Sequence, residues 1–82
     1  MVVEDIFSIS GKGTVITGEI INGEINQNYS VAVGDYRYTV AGIEHQRKII
    51  QSATENMNVG ILLKDADAKY IQQGEMVRKI KH

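Results

Sequence analysis

Residues 8–18, SISGKGTVITG, place Gly11, Lys12, Gly13 and Thr14 in a row, the residue types from which phosphate-cradling loops are built. The spacing contradicts that chemistry. A phosphate loop needs a glycine, four residues, then glycine, lysine and serine or threonine; here Lys12 is followed by Gly13, and the position five before Gly11 is Ile6. No helix follows either, so an anion would lack the converging amides and the dipole of a helix N-terminus. Gly11 and Gly13 are expected instead to take the positive φ angles of a reversal between two strands.

Other chemistries fare no better. Glu4 and Asp5 are adjacent, so along a strand they point to opposite faces and make a poor acid and base pair. Ser8, Ser10, Thr14 and Thr17 have no histidine near them in sequence to activate a nucleophile. His45 and His82 are far apart and no cysteine accompanies them, so both read as surface imidazoles, and neither a metal site nor a cofactor is expected. Glu44 differs in sitting beside an expected bulge and close to Arg47; on residue types alone the pair reads as a weak surface ion pair. A binding module is favoured over an enzyme.

The elements that would position such a site are strands. Val2–Ile9 is rich in β-branched and aromatic residues, and TVITGEII, 14–21, resumes the pattern after the glycine turn. Asn22 and Gly23 mark a tight reversal. Tyr29, Val31 and Val33 alternate with Ser30 and Ala32, as in a strand with one face inside. Gly34 and Asp35 turn the chain again. Tyr36, Tyr38 and Val40 then share a face, but Ile43 falls on the wrong parity, which a bulge at Ala41 and Gly42 repairs. Residues 49–58 read as a mixed stretch whose TEN suits an irregular loop, VGILLK as a buried strand, 65–71 as one helical turn, and 76–80 as a closing strand. The fold expected is all-β, a small barrel or sandwich.

The chain has 82 residues, 43% apolar and 23% charged, with no cysteine. One folded domain over 1–82 is expected, in a reducing compartment, without a secretory signal or membrane-spanning run. The formal charge of −1 argues against a broad phosphate-neutralising surface, and so against DNA; the basic residues gather only at Arg47 with Lys48 and in VRKIKH.

Three motifs in order, VEDIFSISGKGTVITGEI, GIEHQRK and NVGILLK, resemble the second domain of translation elongation factor Tu, from Val3 to about Ile80. The resemblance implies a small closed antiparallel barrel of six to seven strands. It implies cytoplasmic, non-catalytic work in translation, beside a GTPase domain that this chain lacks, holding the aminoacylated end of transfer RNA. By resemblance the pocket for the terminal adenosine maps to Ile9, Gly11, Val15, Glu44, Arg47 and Leu62. The side toward the aminoacyl group maps to Glu4, Asp5, Phe7, Thr17 and Asn58. A purine needs an apolar slot, a close backbone approach and a polar group for its edge or sugar, which Ile9, Val15 and Leu62, then Gly11, then Glu44 would supply.

The chain also departs from that family. Asn28 and Asn56 stand where glycine is common, Gln27 and Tyr29 replace a valine and an aspartate, and the connection at Gly34 and Asp35 is short. Asparagine tolerates a left-handed backbone, so these turns are expected to survive. With one wall of the cleft missing, an isolated barrel is expected to bind an RNA end at roughly 0.1 to 10 mM. Two partners fit this picture: a transfer RNA acceptor end or ribosomal RNA, or, as the alternative, a protein such as a separate GTPase domain docking on the same surface or at the Arg47 region.

Overall fold

Side-chain alternation sets the second strand: in GTVITGE, Thr14, Ile16 and Gly18 are buried while Val15 and Thr17 are only half-buried, the period of two that a sheet with one covered face requires. A computed structural model describes residues 1–80, so His82 and its expected surface imidazole lie outside the described residues. Among the described residues nine strands occur in chain order: β1 Ile6–Ile9, β2 Gly13–Glu19, β3 Glu24–Asn26, β4 Ser30–Val33, β5 Tyr36–His45, β6 Lys48–Ile50, β7 Ser52–Thr54, β8 Asn58–Lys64 and β9 Val77–Lys79. The expected helical turn is a single 3-10 turn, Ala68–Tyr70, capped by the Asp67 carboxylate, which accepts the Lys69 N–H at 3.0 Å.

The all-β expectation holds. Seven strands form one antiparallel sheet in the order β1-β2-β8-β5-β4-β9, with β6 paired to β5, and β3 pairs with β7 in a separate ladder. Inward residues from these strands, among them Ile16, Val31, Val33, Val40, Ile43, Ile61 and Leu63, make the core together with Ile20 just after β2. Before β1 the chain runs beside the segment leading into β9: Val2 bridges Met76, the Val77 N–H donates to the Met1 carbonyl at 2.7 Å, and the Val3 N–H donates to the Glu75 carbonyl at 2.9 Å.

The register of β5 against β8 shifts between Val40 and Gly42, as the parity of Ile43 requires. Gly11 and Gly13 take φ of 78° and 142°, and Asn28 and Asn56 take 74° and 71°, so both asparagines do hold left-handed turns.

Two expectations need correction. Glu4 and Asp5 do not alternate across a strand: the Glu4 N–H donates to the Thr17 carbonyl at 2.8 Å and the Thr17 N–H donates to the Asp5 carbonyl at 3.0 Å. Two residues thus oppose one, the alternation breaks, and both carboxylates are exposed. The mixed stretch 49–58 is also more regular than expected: it contains the end of β6, all of β7 and the first residue of β8, and of TEN only Glu55 and Asn56 lie in a turn, Thr54 ending β7. Three-residue strands are too short to print a period.

Candidate functional site

The outer face of the main sheet carries two cross-strand rows. In the first, Phe7 lies opposite Val15, Val15 opposite Leu62, and Leu62 opposite Gly42, across β1, β2, β8 and β5. In the second, Thr17 lies opposite Gly60, Gly60 opposite Glu44, and Glu44 opposite Ile49. Each row contains a glycine where a side chain would otherwise stand. The result is a groove of about 640 Å³ lined by Phe7, Ile9, Lys12, Val15, Thr17, Gly42, Ile43, Glu44, Gln46, Ile49, Asn58, Val59, Gly60 and Leu62.

The floor is open. A Cβ added at Gly42 would meet nothing within 4 Å, and one at Gly60 would make ordinary contact with Val15 Cγ1 at 3.4 Å and Thr17 Cγ2 at 3.9 Å. The walls are apolar and face water: Phe7 is 52% exposed, Ile9 38% and Ile49 84%. Folding gives no reason to place such residues side by side on the solvated face, and a contiguous apolar patch marks a binding surface more reliably than scattered exposed residues do. Ile9, Val15 and Leu62 are therefore not core residues that any small barrel would need.

Polar groups sit at the edge of this apolar surface. Glu44 is exposed, and its carboxylate has no hydrogen bond or ion pair among the described residues, where the one ion pair joins Lys69 to Asp67 at 3.7 Å. The Thr17 hydroxyl accepts the Asp5 N–H at 3.1 Å, which ties the exposed approach to β1 onto the rim. His45 Nδ1 lies 2.7 Å from the Asn58 carbonyl, joining the end of β5 to the start of β8.

Seven of the residues singled out from the sequence line this groove: Ile9, Val15, Glu44 and Leu62 from the adenosine set, with Phe7, Thr17 and Asn58 from the aminoacyl set. The two sets merge into one surface. Four do not line it. Gly11 lies in the β1–β2 turn and borders a neighbouring hollow with Lys12, Asp65 and Ala68. Glu4 and Asp5 precede β1. Arg47 occupies the tip of the β5–β6 turn, where Gln46 and Arg47 have φ of 51° and 65°, and pairs with no carboxylate among the described residues.

That turn is costly. Two consecutive positive φ angles are the geometry of a two-residue hairpin that prefers Asn-Gly, and each non-glycine residue held there costs on the order of 1 kcal/mol or more. Replacing Gln46-Arg47 with Asn-Gly is expected to raise stability by about 1–2 kcal/mol in urea denaturation. A midpoint unchanged or lowered would show that the native side chains compensate the strain.

Sequence reasoning missed Gly60, Gln46, Lys12 and Ile49 as groove residues, and assigned Gly42 to the bulge alone. Gly60 had a readable signal, a glycine inside a strand pattern, which marks a close approach of another group. Ile49 had none.

Outside the groove, Tyr36 stacks near Tyr70 with ring centroids 4.9 Å apart, and partial burial, then the neighbouring Tyr36, Glu75, Asp67 and Tyr70, holds the Tyr38 phenol above the usual tyrosine value. No helix among the described residues is long and apolar enough to cross a membrane.

No protein-family model matches the chain. Solved structures do. The translation elongation factor SelB from Methanococcus maripaludis, in its apo form, superposes with a TM-score of 0.88 at 28% identity over 95% of this chain and 18% of its own. A bacterial selenocysteine-specific elongation factor superposes with a TM-score of 0.85 at 24% identity, over 95% of this chain and 14% of its own. The chain thus spans less than a fifth of either protein. These matches carry the resemblance to a translation-factor β-domain that the three motifs suggested.

Proposed function

We propose that this translation-factor-like domain is a non-catalytic, cytoplasmic receptor for an unpaired RNA 3′ end, of transfer RNA or ribosomal RNA, with a terminal purine lying in the outer groove. The observation that carries the reading is the outward placement of Ile9, Val15 and Leu62 around the glycine floor, with the unpaired Glu44 carboxylate at its edge. A flat base can slide over Gly42 and Gly60 and contact the aliphatic wall, while Glu44 accepts hydrogen bonds from the base edge or the sugar hydroxyls. The mode relies on stacking and edge contacts, which suits a chain of net charge −1.

The structural neighbours support it, being elongation factors by name. A separate GTPase domain, approaching from the side of Phe7, Thr17 and Asn58, would supply the second wall. We take the pairing of Met1–Val3 with Glu75–Val77 as the seam that closes the sheet into a barrel, which would hold the groove strands rigidly. Binding needs no cofactor. A protein partner on the same surface is the second reading, and the 84% exposure of Ile49 favours it, since an aliphatic side chain projecting so far suits a protein pocket.

Glu44→Ala separates the roles. Titration with a short CCA-ended oligonucleotide is expected to shift the amide resonances of Val15 and Leu62 in the wild type and to require roughly tenfold more ligand in the variant. Stability is expected to stay within about 0.5 kcal/mol, because the carboxylate is exposed and unpaired. A variant that binds the oligonucleotide as well as the wild type removes Glu44 from the site, and one that unfolds makes it structural.

A further inference from the structure

The opposite end of the main sheet presents a charge arrangement unrelated to the apolar groove. Ala32 in β4 lies directly opposite Arg37 in β5 on one side and directly opposite Arg78 in β9 on the other. Directly paired residues share a face, and Val31 and Val33 occupy the buried face of β4, so both arginines stand on the solvated side. Two strand spacings separate their backbones, about 10 Å, and between them stands only the Ala32 methyl. The gap opens into a cleft of about 450 Å³ whose rim is formed by the Gly34 and Asp35 turn, Lys79 and Ile80.

Like charges flanking a small residue repel and stabilise nothing by themselves. No carboxylate answers them among the described residues: Asp35 borders the cleft but makes no ion pair with either guanidinium. Lys79, on the alternate face of β9, lies over the Tyr29 ring at 5.6 Å and adds to the local positive field. Guanidinium groups present planar forks of donors that match phosphate oxygens in bidentate fashion, and both side chains are long enough to converge over Ala32.

We propose that the Arg37–Ala32–Arg78 cleft is a phosphate-binding site, taking one phosphate or phosphodiester group between the two guanidinium forks. Arg37 lies five residues before Gly42 on β5, so the cleft is roughly 16 Å along the same strand from the groove floor. An RNA strand with its last base in the groove has its backbone within reach of the cleft. That source rests on the function proposed above; the phosphate site itself does not.

Amide NMR of the whole chain, titrated with inorganic phosphate against chloride at matched ionic strength, tests the site. Saturable shifts at Ala32, Arg37 and Arg78 with phosphate alone are expected. Arg37→Gln with Arg78→Gln is expected to weaken them at least roughly tenfold, and the paired lysine variant, which keeps charge but loses the forks, to fall between. Both arginines are exposed, so all variants are expected to fold. No shift at tens of millimolar phosphate, or the same shift with chloride, or in the double variant, overturns the proposal.

A CCA-ended oligonucleotide then identifies the source. If the strand crosses the cleft, its shifts appear there together with those in the groove, and the double glutamine variant lowers the salt dependence of binding by about 0.7 per lost contact. Cleft shifts with phosphate, but none at the cleft when RNA occupies the groove, assign the site to free phosphate. Cleft shifts with phosphate and no groove response to RNA leave this site standing and remove the RNA-end reading.

Discussion

Replacing Gly42 with valine is expected to abolish binding in the groove while leaving the fold intact. Nothing lies within 4 Å of a Cβ placed at Gly42, and its backbone is outside the left-handed region, so a β-branched side chain enters without strain. It fills the floor between Leu62 and Glu44, where a flat ligand would lie. The loss of ligand contact is expected to exceed tenfold, or about 1.4 kcal/mol. Stability should hold or rise slightly, because valine suits a strand better than glycine does. Thermal unfolding and an oligonucleotide titration, run on the same sample, check both halves. A variant that binds normally contradicts the placement of the site, and one that unfolds shows that Gly42 serves the bulge alone.

Gly13→Ala is expected to have the largest effect on stability. At Gly13 φ is 142°, a region that side chains rarely enter, and an added Cβ would come within 2.1 Å of the Leu63 carbonyl oxygen and 2.8 Å of the Asp65 nitrogen. Both contacts are backbone, so no flexible side chain can move aside. The Lys12 carbonyl accepts the Asp65 N–H at 2.9 Å, and the Thr14 hydroxyl donates to the Ala66 carbonyl at 2.8 Å, so a shift there disturbs the junction of β2 with the end of β8. A loss of at least about 3 kcal/mol is expected, against a total of about 4–12 kcal/mol for a chain of this length. Gly11→Ala provides the comparison: its φ of 78° is strained, but nothing lies within 4 Å, so the cost should be near 1 kcal/mol. Equal losses in the two variants, measured by urea denaturation, would contradict the steric account.

The bulge shows where sequence periodicity reaches furthest. Tyr36, Tyr38 and Val40 share a parity that Ile43 breaks, and a sheet can restore it only by inserting a residue, which the register shift between Val40 and Gly42 does. The 3-10 turn and the left-handed Asn28 and Asn56 were legible for similar local reasons. The groove was not legible in this way. Both Val15 and Ile16 are apolar, and β8 is apolar on both faces at Ile61 and Leu62, so alternation alone cannot say which set is covered. Only the register shows Val15 and Leu62 outside. The expected Glu44–Arg47 pair failed because a two-residue turn sets Glu44 opposite Ile49 and leaves Arg47 at the tip. The short strands β3 and β7, stabilised by each other, carry too few residues for any pattern.

The central claim, that the outer groove receives an RNA 3′ end, is tested most directly by intermolecular NOEs between the chain and a CCA-ended oligonucleotide at millimolar concentration. Contacts from the terminal adenine protons to the methyl groups of Ile9, Val15 and Leu62 are the predicted result. A bound oligonucleotide whose contacts fall elsewhere, or an oligonucleotide that produces none at saturating concentration while a protein partner shifts the same methyl groups, would contradict the account.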